Sequence, residues 1–214
     1  MQEPKFKQHV MFDLKVLHDD IWYWDNVLSY PDDLVKTIEN LDSNPDSYYN
    51  IPKWDSWTAS DDESILYGYV KMIVSETIKN KTFDPKINQK VLYIVNSLKT
   101  AADMCSTNYL NQHTSIDPSK YQIDLSHVPI KKWNMGANMG PHSDGGYGYS
   151  KLSFTTVTYL NDQYDGGEID FPDHGISIKP RAGSLIMFPA SFIHQVKPVL
   201  SGVRYTSTNS INMI

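Results

Sequence analysis

The sequence predicts an α+β protein with a mostly β core: a double-stranded β-helix (jelly roll) with N-terminal helices packed on the outside of the sheet. Apolar residues recur at helical spacing in the first half of the chain and give way to short β-prone runs from about residue 121. Turn-forming Asn, Asp and Gly punctuate those runs regularly, as they do in double-sheet proteins. The length of 214 residues suits one domain with one sizeable core.

The elements follow in order. Ile21-Trp22-Tyr23-Trp24 is β-prone. Pro31-Asp32-Asp33 places a proline and two acids in a first helical turn, so a helix is expected from there to about Leu41. Residues 42–60 carry no period and are expected to be a loop. Ser60-x-x-Glu63 has the spacing of a capping box, and Ile65, Tyr69, Met72 and Ile73 continue it as a second helix. Asp84-Pro85 opens a third, with Ile87, Val91, Val95, Leu98, Ala102 and Cys105 as its apolar stripe. Strands are expected at 121–125, 128–134, 152–160, 167–171, 175–179, 184–188, 192–197 and 203–209. The whole of 1–214 is expected to be a single domain, with a helical lobe to about residue 115 and a jelly-roll core over 116–214.

Composition excludes several classes. Hydrophobic residues make up 40% and charged residues 21%, the balance of a folded globular chain. A net charge of -6 argues against a nucleic-acid binder. The lone Cys105 excludes an internal disulfide and a Cys-rich zinc site, and is expected to be a core residue. No run approaches the roughly 20 apolar residues that span a bilayer. Met1 to Val10 lacks the apolar stretch of a signal peptide. The expectation is a soluble cytoplasmic protein. Only two of the 19 basic residues are arginines, Arg181 and Arg204. The guanidinium suits two-point binding of a carboxylate, so each is a candidate ligand group; coding bias toward lysine is the plain alternative.

His9, His18, His113 and His127 have no partner at a telling spacing. His142 does, in His142-Ser143-Asp144: residues two apart on a strand share a face. A further ligand from a neighbouring strand completes two histidines and one carboxylate, the facial set that holds non-haem Fe(II) with positions left open. His194 is the natural third member, catalytic and metal-binding with the other two. The chain then turns at Leu200-Ser201-Gly202, and a hairpin with this short turn is expected to bring Arg204 onto the strand beside His194. Arg204 and Thr206 share a face and are placed to donate to one carboxylate of a short diacid bound to the metal by its other end.

The stretch from Trp133 to Ser210 resembles the 2-oxoglutarate- and Fe(II)-dependent dioxygenases, in their prolyl 4-hydroxylase-like branch. The matching residues are His142-Ser-Asp144, Thr158-Tyr159-Leu160-Asn161, Gly166-Gly167-Glu168-Ile-Asp-Phe171-Pro172 and Lys179-Pro180-Arg-Ala-Gly183-Ser-Leu185-Ile-Met-Phe188. His194-Gln-Val196-x-Pro198-Val199-x-x-Gly202-x-Arg204-Tyr-Thr206 completes them. The resemblance implies that His142, Asp144 and His194 bind Fe(II). It implies that Arg204, helped by Thr206, pairs with the distal carboxylate of the cosubstrate 2-oxoglutarate, and that Tyr159 hydrogen-bonds it. It further implies O2 as oxidant, ascorbate as a stimulant, hydroxylation as the reaction and a proline-containing peptide or protein as substrate. Trp133 stands where the family commonly has a tyrosine, which alters cosubstrate contact, and Ser210 stands where it often has an aromatic residue. Both departures weaken the inference to proline.

Several plainer alternatives accompany these expectations. Gly166, Gly167, Gly183 and Gly202 are expected at turns and bulges. Asp144-Gly-Gly is expected to bend beside the metal. Glu168, Asp170, Asp173 and His174 are expected to be surface residues, not a second metal site. Tyr48, Tyr49, Trp54 and Trp57 form either a peptide groove or a small satellite core. The rival functions are a 2-oxoglutarate dioxygenase acting on another residue or a small molecule, an inactive jelly-roll binding module, and a zinc hydrolase that uses the same three ligands.

Overall fold

The computed structural model describes residues 13–41, 54–56, 67–72, 85–125, 128–145 and 151–214. In chain order the elements are β1 (Asp13–His18), β2 (Ile21–Asp25), α1 (Pro31–Glu39), β3 (Asp55–Ser56), β4 (Tyr67–Met72) and α2 (Pro85–Gln112). They are followed by β5 (Tyr121–Asp124), β6 (Val128–Trp133), β7 (Met139–His142), β8 (Leu152–Tyr159), β9 (Tyr164–Gly166) and β10 (Ile169–Phe171). The last are β11 (Ile176–Ile178), β12 (Leu185–Pro189), β13 (His194–Val196), β14 (Val199–Gly202) and β15 (Arg204–Met213).

Two sheets face each other. The larger, among the described residues, runs β1-β2-β12-β8-β15-β6-β4-β3, with β5 beside the far end of β15. The smaller runs β11-β10-β13-β7, and β9 and β14 form a separate ribbon. Strict alternation on the larger sheet separates two cores. Trp22, Trp24, Leu185 and Met187 face α2, where Cys105 and Tyr109 meet them. Ile21, Tyr23, Ile186 and Phe188 face the other sheet and join Ile169 and Phe171. Both faces are covered, which is why these strands read as unbroken apolar runs.

The helices pack on the outer face. Leu34 and Ile38 of α1 meet Val91, Ile94, Leu98 and Ala101 of α2 over Val128 and Ile130 of β6. α1 begins at Pro31 with Asp32 and Asp33 in its first turn. α2 runs 28 residues, about 42 Å at 1.5 Å per residue. Burial pushes the Cys105 thiol up to about 12, so it is an inert core group.

Three expectations are corrected. The second helix is a strand over Tyr67–Met72, paired in register with β6 from Tyr67↔Trp133 to Met72↔Val128. A run with two Tyr and a Val is β-competent, and the edge of β6 supplies hydrogen bonds that decide the matter; Ser60, Glu63, Ile65 and Ile73 lie outside the described residues. The larger sheet draws strands from both sides of residue 115, because β2 pairs with β12. The third correction concerns residues 199–202, which form β14 paired with β9 and not a bare turn. The chain therefore crosses between sheets after β13, and Arg204 begins β15 opposite Trp133, across the interior from His194. Gly202 permits the crossing: its φ is +75°, and a Cβ there would meet the Gln163 carbonyl at 2.7 Å.

Leu98 is fully buried and Leu92, on the same helix, is 45% exposed. Leu98→Ala is expected to cost about 3 kcal/mol, and Leu92→Ala within about 0.5 kcal/mol, as measured by urea unfolding.

Candidate metal centre

β7 and β13 deliver the histidines. They are antiparallel neighbours in which His142 lies directly opposite His194, so residues far apart in sequence become a cross-strand pair. Their ring centroids are 4.3 Å apart. Asp144 follows on the loop after β7, where its own N–H and that of Gly145 donate to the Ala190 carbonyl at 2.9 and 3.0 Å. Its Oδ1 lies 3.6 Å from His142 Nε2 and its Oδ2 lies 3.8 Å from His194 Nε2. One ligand atom from each of the three residues lies within 4.8 Å of the others.

The surrounding groups aim these atoms. His142 Nδ1 is 2.8 Å from the Gly140 carbonyl and His194 Nδ1 is 3.1 Å from the Phe192 carbonyl. A carbonyl only accepts, so each Nδ1 carries the proton and each Nε2 presents a lone pair to the centre. The Thr155 hydroxyl donates to Asp144 Oδ2 at 2.6 Å. Burial raises the Asp144 pKa; with the imidazoles protonated, before any metal ion displaces their Nε2 protons, the hydrogen bonds from His142 and Thr155 and the charges of His194 and Lys131 outweigh it and bring it down to about 2. Phe188 packs 4.7 Å from the His194 ring and Phe171 packs 6.0 Å from it. The set has the donors of a divalent first-row metal site and covers one side of it.

The same cavity, about 190 Å³, continues from the triad to Arg204. Its far wall is the inner face of β6, β15 and β8, presented at every second residue: Lys131 and Trp133, then Arg204, Thr206 and Thr208, then Thr155, Val157 and Tyr159. Arg204 is 1% exposed. Its guanidinium carbon lies 4.7 Å from the Trp133 ring centroid and 5.2 Å from that of Tyr159. Gly167 backs it, since a Cβ there would meet Arg204 Cδ at 3.1 Å. Arg204 Nε and Nη1 and the hydroxyls of Tyr159 and Tyr164 have no hydrogen-bond partner among the described residues. Buried donors in that state are costly. Arg204 and Tyr159 line the cavity, so their free donors suit an anion there.

Burial raises both phenols against the lowering effect of Arg204, so both keep their protons as donors. Trp133 donates its indole N–H to Thr206 Oγ1 at 3.0 Å, which leaves the Thr206 hydroxyl hydrogen for another acceptor.

All six residues singled out in the sequence, His142, Asp144, His194, Arg204, Thr206 and Tyr159, line this one cavity. Sequence reasoning missed Thr155, Tyr164 and Lys131. Alternation back from Tyr159 reaches Thr155, and alternation from Trp133 reaches Lys131, once the inward face is known; no signal marked Tyr164. Among the described residues the triad is the one group of three or more such side chains able to hold a metal ion. Asp170 instead bonds Lys197 and Gln195, each at 3.1 Å. Arg181 is exposed in a turn. Trp54 packs beside Tyr205 and under Lys132 on the helix-covered face of the sheet, so it belongs to the satellite core; Tyr48, Tyr49 and Trp57 lie outside the described residues.

Residues 129–212 match the model of the 2OG-Fe(II) oxygenase superfamily. This segment, about two fifths of the chain, is similar to a 2OG-Fe(II) oxygenase domain. A PKHD-type hydroxylase of Maricaulis maris is 40% identical over 85 residues, 37% of this chain and 39% of the relative. Another, from Rippkaea orientalis, is 30% identical over 138 residues, 61% of this chain and 59% of the relative. The match thus spans about two fifths of the first of these curated relatives. The fold is shared with a prolyl hydroxylase of Trichoplax adhaerens, solved with a hypoxia inducible factor oxygen degradation domain peptide fragment. That likeness has a TM-score of 0.62 and 15% identity, over 92% of this chain and 86% of that one. A Pseudomonas putida prolyl-4-hydroxylase gives 0.55 and 17%, over 93% and 95%. The matched segment spans most of the jelly-roll core, and the superfamily it resembles is described by 2-oxoglutarate and Fe(II), the group that the His142, Asp144 and His194 donors fit. No helix among the described residues is long and apolar enough to cross a membrane.

Thr155→Val removes a hydrogen bond to a candidate ligand without touching the ligand set. It is expected to weaken Fe(II) binding about 10- to 100-fold, read by anaerobic metal titration, with Thr155→Ser close to wild type.

Proposed function

We propose that this protein is a 2-oxoglutarate- and Fe(II)-dependent hydroxylase acting on a peptidyl proline. The observation that carries the proposal is one small cavity with a two-His-one-Asp set at one end and, at the other, a buried guanidinium with two nitrogens unpartnered among the described residues. A zinc hydrolase needs the first feature and has no use for the second. A binding module without catalysis needs neither an aimed pair of Nε2 atoms nor an oriented carboxylate.

In this proposal His142, Asp144 and His194 hold Fe(II). Arg204 binds the distal carboxylate of 2-oxoglutarate through Nε and Nη1, with Tyr159 and Thr206 as further donors. Fe(II) with 2-oxoglutarate and O2 supplies the oxidising chemistry that inserts oxygen into a substrate C–H bond, with succinate and CO2 as co-products. The chain's own contribution is placement. Gly140 and Phe192 fix the imidazole tautomers, Thr155 fixes the carboxylate, Phe171 and Phe188 pack against the His194 ring, and Trp133 walls the cavity. The substrate class follows from the motif resemblance, and the fold shared with prolyl hydroxylases supports it.

The test is conversion of 2-oxoglutarate to succinate with added Fe(II) and ascorbate, paired with mass detection of +16 Da products on a proline-peptide array. Wild type is expected to turn over with Fe(II) and not with Zn(II), and Asp144→Ala is expected to lose all detectable turnover. Wild-type rates in Asp144→Ala, or turnover that survives a chelator, sink the proposal. Hydroxylation of a free amino acid and of no peptide sinks the peptidyl substrate alone.

A further inference from the structure

Lys131 is a charged wall of the cavity to which no task has yet been given. It lies on β6 two residues from Trp133, so both side chains share the inner face. Across the β6–β15 ladder, Trp133 is opposite Arg204 and Lys131 is opposite Thr206, which is itself opposite Tyr159 on β8. The next rows along β15 reach Thr208 beside Val157 and then Ser210 beside Thr155, whose hydroxyl holds Asp144. Lys131 is therefore anchored one row from Arg204 in the direction of the metal set, about 7 Å along the strand.

The electrostatics agree with that placement. Burial lowers the Lys131 pKa, attraction by Asp144 opposes this, and repulsion by Arg204 adds to it. The Lys131 charge acts in turn on Asp144, His142 and His194. Its ammonium thus sits within the field of both ends of the cavity. Among the described lining residues Asp144 is the one carboxylate, against two cations, before any metal ion is added. A divalent ion at the triad leaves a large positive surplus in about 190 Å³, a space below the roughly 300–1,000 Å³ of drug-sized sites. The ligand that suits it is short and anionic at both ends.

We propose that Lys131 is a second anion-recognising residue, which engages the metal-proximal carboxylate of 2-oxoglutarate while Arg204 engages the distal one. This rests on the oxygenase function proposed above. It makes the protein hold each end of the dianion with its own cation, on neighbouring strands whose spacing is fixed by their register.

The test uses anaerobic binding to the Fe(II)-loaded protein, followed by calorimetry and independent of turnover. Three ligands separate the two ends: 2-oxoglutarate, 2-oxopentanoate, which lacks the distal carboxylate, and 4-oxopentanoate, which lacks the proximal one. Lys131→Met is expected to weaken 2-oxoglutarate and 2-oxopentanoate by a common factor of about tenfold or more and to leave 4-oxopentanoate unchanged. Arg204→Met is expected to give the reverse pattern, and Lys131→Arg to restore most of the binding. Metal content and the circular dichroism spectrum, unchanged in Lys131→Met, show that the site is otherwise intact. Equal 2-oxoglutarate affinity in wild type and Lys131→Met overturns the inference, as does a loss for 4-oxopentanoate that matches the loss for 2-oxopentanoate. Absence of 2-oxoglutarate binding in wild type defeats the proposed function itself, a result distinct from either.

Discussion

A guanidinium buried between two sheets, with two of its nitrogens unpartnered among the described residues, organises the interior of this protein. Arg204 is all but inaccessible, and two of its nitrogens find nothing to bond. Such a group persists only where its surroundings hold it and where a ligand repays its isolation. Trp133 and Tyr159 hold it by their ring faces, and Gly167 leaves room for its stem. The cavity that results has a cationic end and, across it, a set of ligands for a cation. Each end makes sense only with the other occupied by a molecule that bridges them.

The bridge is built by two sheets with different tasks. The larger sheet presents the candidate anion-binding side chains at every second residue of three adjacent strands, so their relative positions are set by register and not by loop conformation. The smaller sheet presents the histidines as a directly opposed pair. The outer face of the larger sheet is held by α1 and α2. Its inner face is free to carry polar groups because the aromatic cluster of Tyr23, Phe171 and Phe188 supplies the apolar packing beside them. A site mounted on strands in this way holds its geometry more closely than one mounted on loops.

Much of this was legible in the sequence. His142, Asp144, His194, Arg204, Thr206 and Tyr159 were recognisable because their chemistry recurs at spacings that strands impose. Most of the β-rich half was legible as well, from its alternating apolar runs. β7 was legible only at His142: Met139-Gly-Pro contains two residues that strands disfavour, and the strand ends at His142, so Asp144 reaches the site from the loop after it and not from a shared strand face. β4 was misread for the converse reason: its apolar positions fit a helical period, and the edge of β6 imposes the other. Lys131 looked like one of many lysines, since nothing local distinguishes an inward lysine from the outward Lys132 beside it.

The sequence by itself determined the residue types: two imidazoles and a carboxylate with the right spacings, one arginine with a shape suited to a carboxylate, and alternation that commits each to a face. Spacing along one strand is a local property, fixed by backbone geometry. Only the tertiary structure decided which faces meet. It moved Arg204 from a strand beside His194 to the opposite sheet, enclosed it, and placed Lys131 between it and Asp144. Those outcomes depend on how the chain crosses from β13 through β14 to β15, and a crossing is set by the packing of distant elements, which no local pattern records.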